Sequence, residues 1–135
     1  MNKRHILIIE DDPGIQAVTK FSLEMDGDWL VTVARCGKEG LLKAVNLQPN
    51  VILLDLIMPD INGSEILQRL KYHPLTSDIP IILFTAKLIE GEILEFKHNN
   101  IIGLITKPFD CLILSQMITD IIGNYRHSVC NCGSK

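Results

Sequence analysis

"VILLDLIMPDING", residues 51–63, places Asp55 directly after four branched aliphatic residues, where a segment building a core ordinarily excludes charge. An unbroken apolar run of this length, closed by turn residues, reads as a strand covered on both faces, and burial on both faces marks a parallel sheet. Three other runs read the same way: "HILIIE" (5–10), "IPIILFTA" (79–86) and "IIGLITKP" (101–108). "WLVTVA" at 29–34 alternates more and fits an edge strand.

Segments of helical length lie between these runs: Pro13 to Met25, Lys38 to Asn46, Ser64 to Lys71, Leu88 to Asn99, and Leu112 to Asn124. Asp12 before Pro13 is an N-cap followed by proline at the first helical position. Gly27, Pro49, Pro74 and Pro80 fall between elements, while Gly91 lies inside a helical pattern. Five strand-then-helix units predict an α/β fold, a doubly wound five-stranded parallel sheet with five helices on its two faces.

With 135 residues and 47% hydrophobic content, the chain has the size and core of one globular domain. Residues 1–125 are expected to form that domain, and residues 126–135, with little apolar content to bury, a flexible tail. No stretch approaches the roughly 18 apolar residues of a membrane helix, and the acidic turn within "MNKRHILIIEDD" is unlike a secretory signal, so a cytoplasmic protein is expected. A net charge of −3 supplies no basic field for nucleic acid, and no GxxxxGK or GxGxxG motif points to a nucleotide. Cys36, Cys111, Cys130 and Cys132 lack the CxxC spacing of a zinc site and read as free thiols.

In doubly wound sheets, ligands bind beyond the carboxyl ends of the strands. Those ends carry Glu10, Asp11 and Asp12, then Asp55, then Thr85, then Lys107. Asp12 is accounted for as a cap, and Asp60 and Asn62 suit turn and capping work. The remaining carboxylates would repel one another unless a cation joined them. An all-oxygen set open to solvent suits Mg²⁺, and none of His5, His73, His98 or His127 falls at a strand end to favour a softer metal. A carboxylate beside Mg²⁺, with a lysine and a hydroxyl aimed at the same point, is equipped to attack phosphorus and form an aspartyl phosphate.

The motifs "ILIIEDD", "VILLDLIMPDING", "IPIILFTA" and "ITKPF" stand in the order and spacing of a known family. From about Lys3 to Asn124 the chain resembles the flavodoxin-like receiver domain of bacterial two-component response regulators, in its single-domain form. The resemblance implies a strand order of 2-1-3-4-5 and a phosphoryl group accepted by Asp55 from a sensor histidine kinase or histidine phosphotransfer protein. It implies that Thr85 and Lys107 bind phosphoryl oxygens, and that Mg²⁺ is held by Asp11, Asp55, Glu10 through water, and the main-chain carbonyl of Ile57. It also implies a cis Lys107–Pro108 bond. Phosphorylation would then remodel the face of the fourth helix, fifth strand and fifth helix, a surface for a downstream protein target or a homodimer.

Three positions depart from the common pattern or tune it. Leu104 stands where the family often has an aromatic ring that follows the threonine inward. Ile57 and Lys87 flank the path of hydrolytic water, and a bulky apolar Ile57 is expected to lengthen the life of phosphoryl-Asp55. Two other functions compete with the phosphorylation switch. A phosphorylation-independent interaction module is opposed by the intact site residues. A turnover enzyme of the haloacid dehalogenase type would want a second aspartate where Ile57 stands.

Overall fold

A computed structural model describes residues 4–25, 27–85 and 100–133, with side chains as far as Tyr125. The elements follow in the order β1 (Arg4–Ile9), α1 (Pro13–Glu24), β2 (Trp29–Ala34), α2 (Gly37–Leu47), β3 (Val51–Leu54), α3 (Gly63–Tyr72), β4 (Ile81–Thr85), β5 (Ile101–Thr106) and α4 (Leu114–Gly133). The strands form one sheet in the order β2-β1-β3-β4-β5, and every pairing is parallel. Four helices are present among the described residues. The helix expected over Leu88–Asn99 lies outside them.

The continuous apolar runs are explained by the side-chain period of two. Leu7 and Ile9, Ile52 and Leu54, and Ile81 and Leu83 pack with Ala44, Ile66, Leu67 and Leu70 of α2 and α3. Their neighbours Ile6, Ile8, Val51, Leu53, Ile82 and Phe84 pack on the other face with Leu23 of α1 and with Leu114, Ile118 and Ile122 of α4. At the sheet edge, β2 buries Trp29 and Val31 while leaving Leu30 exposed, as its alternation predicts.

Local chemistry starts the helices. Asp12 Oδ1 accepts from the N–H groups of Gly14 (2.8 Å) and Ile15 (3.1 Å), and Asn62 Oδ1 accepts from Ser64 (2.8 Å). The N-cap position of α2 is Cys36, whose side chain makes no capping bond. Asp60 does that work from the β3–α3 loop, its two oxygens accepting from Gly37 and Lys38 at 2.9 Å each.

The last helix begins two residues later than its sequence pattern predicts, after a turn at 111–113, and its backbone continues to Gly133. Residues 126–133, read from the sequence as part of a tail, are therefore helical backbone. Gly123 costs the helix about 1 kcal/mol relative to alanine, but no proline follows Pro108 to stop it. Cys36 and Cys111 are free thiols. Among the described residues, no helix is long and apolar enough to cross a membrane.

Close packing of α2 on β1 requires Gly40: a Cβ there would stand 2.6–2.8 Å from three side-chain atoms of Ile9. Gly40→Ala is therefore expected to destabilise the fold by about 1–3 kcal/mol, with part of the loss recovered when Ile9→Val is added. Urea denaturation of the single and double variants measures both effects.

Candidate functional site

Four parallel strands deliver their last residues to one edge of the sheet. Ladder hydrogen bonds run one residue past the strands and hold the site backbone: Glu10 N donates to Ala34 O (3.0 Å), Asp55 N to Ile9 O (3.0 Å), and Lys107 N to Thr85 O (2.9 Å). Glu10, Asp55 and Thr85 are buried, whereas Asp11 is exposed. The Lys107–Pro108 peptide is cis, as the resemblance implies.

The side chains converge. Lys107 Nζ forms a close ion pair with Glu10 Oε1 and lies 3.3 Å from Asp55 Oδ2. Each carboxylate turns its other oxygen to a main-chain donor: Glu10 Oε2 accepts from Asp12 N (3.1 Å), and Asp55 Oδ1 accepts from Ile57 N (3.0 Å). The Glu10 carbonyl accepts from Gln16 Nε2 (2.6 Å), which ties the end of β1 to the first turn of α1. Beneath the ammonium, the Phe84 ring centroid is 4.9 Å from Lys107 Nζ. Phe109 packs against Phe84 with centroids 4.9 Å apart and planes at 59°.

Oxygen atoms of Glu10, Asp11 and Asp55 lie within 4.8 Å of one another. Burial pushes the Glu10 carboxyl up from its ordinary 4.5 to about 7, and the Asp55 charge adds to the rise, against the opposing hydrogen bonds from Lys107 and Asp12 N. One ammonium facing three carboxyl groups leaves the cluster short of positive charge. Hard oxygen donors gathered in this way suit a hard divalent cation such as Mg²⁺.

The structure thus brings together Glu10, Asp11, Asp55 and Lys107, with Thr85 buried at the end of β4. Ile57 is beside Asp55 and 63% exposed. Leu104 lies on β5 in register with Leu83 and is partly open to solvent. Lys87 lies outside the described residues. Sequence reasoning missed Gln16, Phe84 and Phe109. The signals available were an aromatic residue beside Thr85 and another just after Lys107–Pro108.

A five-stranded sheet of this order with acids and a lysine at its strand ends defines a receiver, the phosphorylation-regulated domain of two-component systems. The chain belongs to the response regulator receiver domain family, which matches residues 6–119. The DNA-binding dual master transcriptional regulator RpaA of Synechocystis sp. is 42% identical over 106 residues, covering 78% of this chain and 43% of RpaA. The uncharacterized transcriptional regulatory protein YkoG of Bacillus subtilis is 37% identical over 113 residues, covering 82% of this chain and 47% of YkoG. The chain spans about half the length of these curated relatives. A CheY-like response regulator receiver domain protein from Methanospirillum hungatei matches with a TM-score of 0.81 at 27% identity, covering 94% of this chain and 99% of that one.

Because the folded Glu10 holds its proton more tightly than the unfolded chain does, the stability it contributes is fully present below pH 4.5 and is lost as pH rises through about 7. In a metal chelator, the melting temperature of the parent should therefore fall relative to Glu10→Gln between about pH 5 and about pH 7.5. Parallel melting curves of the two proteins give the difference, and equal pH slopes would contradict the raised value.

Proposed function

We propose that this receiver takes a phosphoryl group on Asp55 from a phosphohistidine of a sensor histidine kinase or histidine phosphotransfer protein. The observation that carries the reading is the Asp55 carboxylate itself: nearly buried, 3.3 Å from Lys107 Nζ, and clustered with Glu10 and Asp11. An Asp55 oxygen forms a bond to phosphorus as the phosphorus–nitrogen bond of the donor breaks, its electron pair returning to the imidazole. Lys107 then exchanges its carboxylate partners for a phosphoryl oxygen, and Thr85 donates its hydroxyl to another.

Asp11, Asp55 and the main-chain carbonyl of Ile57 would hold Mg²⁺, with Glu10 acting through water. When bound, the ion neutralises the carboxylates and draws charge off the phosphoryl oxygens. The side chains keep separate tasks: Asp12 caps α1, Asp55 reacts, and Lys107 compensates charge that moves from the donor to the acceptor.

An apolar groove lined by Ile15, Val18, Pro108 and Phe109 opens beside Lys107 and Asp12, and supports an approach of the donor protein along α1. The output of the switch is a contact with a downstream protein, or a homodimer, through the face that includes β5 and the last helix. The phosphorylated domain signals and does not turn over a substrate beyond its own phosphotransfer and dephosphorylation. A phosphorylation-independent role has no support in this arrangement of charges.

Incubation with Mg²⁺ and acetyl phosphate should add one phosphoryl group to the parent and none to Asp55→Asn, read by intact mass. Uptake by both proteins, or by neither under any metal condition, would reject the assignment. Ile57 is exposed and donates its main-chain N–H to Asp55 Oδ1, and its bulky side chain should obstruct in-line water. Ile57→Asn is expected to shorten the phosphoryl lifetime severalfold, and decay of the phosphorylated protein over time checks it.

A further inference from the structure

Lys107 is held by more than its ion pairs. Two of its three N–H groups go to Glu10 and Asp55, and its Nζ also stands over the face of Phe84, within the roughly 6 Å at which a cation is drawn to an aromatic ring. Phe84 is 1% exposed on β4, one residue before Thr85, so its ring is fixed by the core that it helps to build. Phe109 tilts against it from the segment that follows the cis Lys107–Pro108 bond. The ammonium therefore lies between carboxylates on one side and a rigid, desolvated ring on the other.

The two kinds of contact respond differently to phosphorylation. A hydrogen bond to a carboxylate is directional and must break when the ammonium turns toward a phosphoryl oxygen. Attraction to the ring quadrupole depends on where the charge sits above the ring and little on which N–H points where. A cation resting on a ring can exchange one oxygen partner for another without leaving the site.

We propose that Phe84, braced by Phe109, is a positioning residue that keeps the Lys107 ammonium in place while it passes from the carboxylates to the phosphoryl group. The proposal rests on the phosphoacceptor reading of Asp55. It gives this chain an aromatic device on the α1 and α4 side of the sheet, one that the apolar Leu104 on the neighbouring strand does not provide.

The test replaces Phe84 with phenylalanines carrying one and then three ring fluorines, which weaken the negative ring face and nearly preserve its shape, alongside Phe84→Leu. Phosphorylation by acetyl phosphate with Mg²⁺ should slow stepwise with fluorine number, reaching about fivefold in the leucine variant. NMR of the unphosphorylated protein supplies a second readout, because methylene protons of Lys107 next to the ring should be shifted upfield in the parent and return in Phe84→Leu. If the leucine variant fails to fold, the fluorinated series still decides. Parental rates throughout the fluorinated series, or Lys107 signals without a ring shift, overturn the proposal. A parent that takes up no phosphoryl group yet shows the ring shift removes the phosphoacceptor reading while supporting the Lys107–Phe84 contact.

Discussion

Placing Glu10 and Asp55 side by side out of water is possible because Lys107 meets them both. A carboxylate buried beside another carboxylate loses hydration and gains repulsion, and removing the partner of a buried charge typically costs about 3–5 kcal/mol. Here, a single ammonium with 12% of its side chain exposed answers both acids. The main chain shares the load, because Asp12 N and Ile57 N take the oxygens that Lys107 does not reach. This balance depends on strand register: β1, β3 and β5 must end level, and the bonds Asp55 N to Ile9 O and Lys107 N to Thr85 O keep them so. The two-layered core fixes that register, since a slip by one residue would exchange the residues facing α2 and α3 for those facing α1 and α4.

The sheet was readable from the sequence because its information is local. Residues 51–54 and 81–84 are apolar without interruption, which only a strand packed on both faces requires, and the charged or polar residue that ends each run marks the sheet edge. Asp12 was readable for the same reason, since a cap acts within three residues. Contacts between distant segments were not readable. Nothing in the neighbourhood of Asp60 says that it caps a helix beginning 23 residues earlier, and nothing around Phe84 says that a lysine far along the chain will rest on its ring. The end of α4 was missed on different grounds: the weakly apolar stretch after Asn124 offers no burial signal, but helical backbone persists through it without a breaker.

Relatives such as RpaA and YkoG are about twice as long as the region they share with this chain, and their names describe regulators of transcription. In this chain the receiver domain is a sheet whose interior is apolar and whose carboxylates gather at one edge. The aliphatic Leu104 stands on β5 in register with Leu83, and the ring beside Thr85 is Phe84, packed against Phe109.

The Asp60 cap has a mechanical side. Its carboxyl is held below its ordinary value by the N–H groups of Lys38 and Gly37, so the pairing stays charged across the neutral range. The loop from Asp55 to Asn62 is thereby a strap fastened at three points: to β1 through Asp55 N, to α2 through Asp60, and to α3 through Asn62. Gly63 lets the strap lie flat, because a Cβ there would come within 2.6 Å of the Leu56 carbonyl oxygen. With Met58 of the same span buried in the core, the strap links the acid at Asp55 to the first turn of α2, a helix that no site residue occupies.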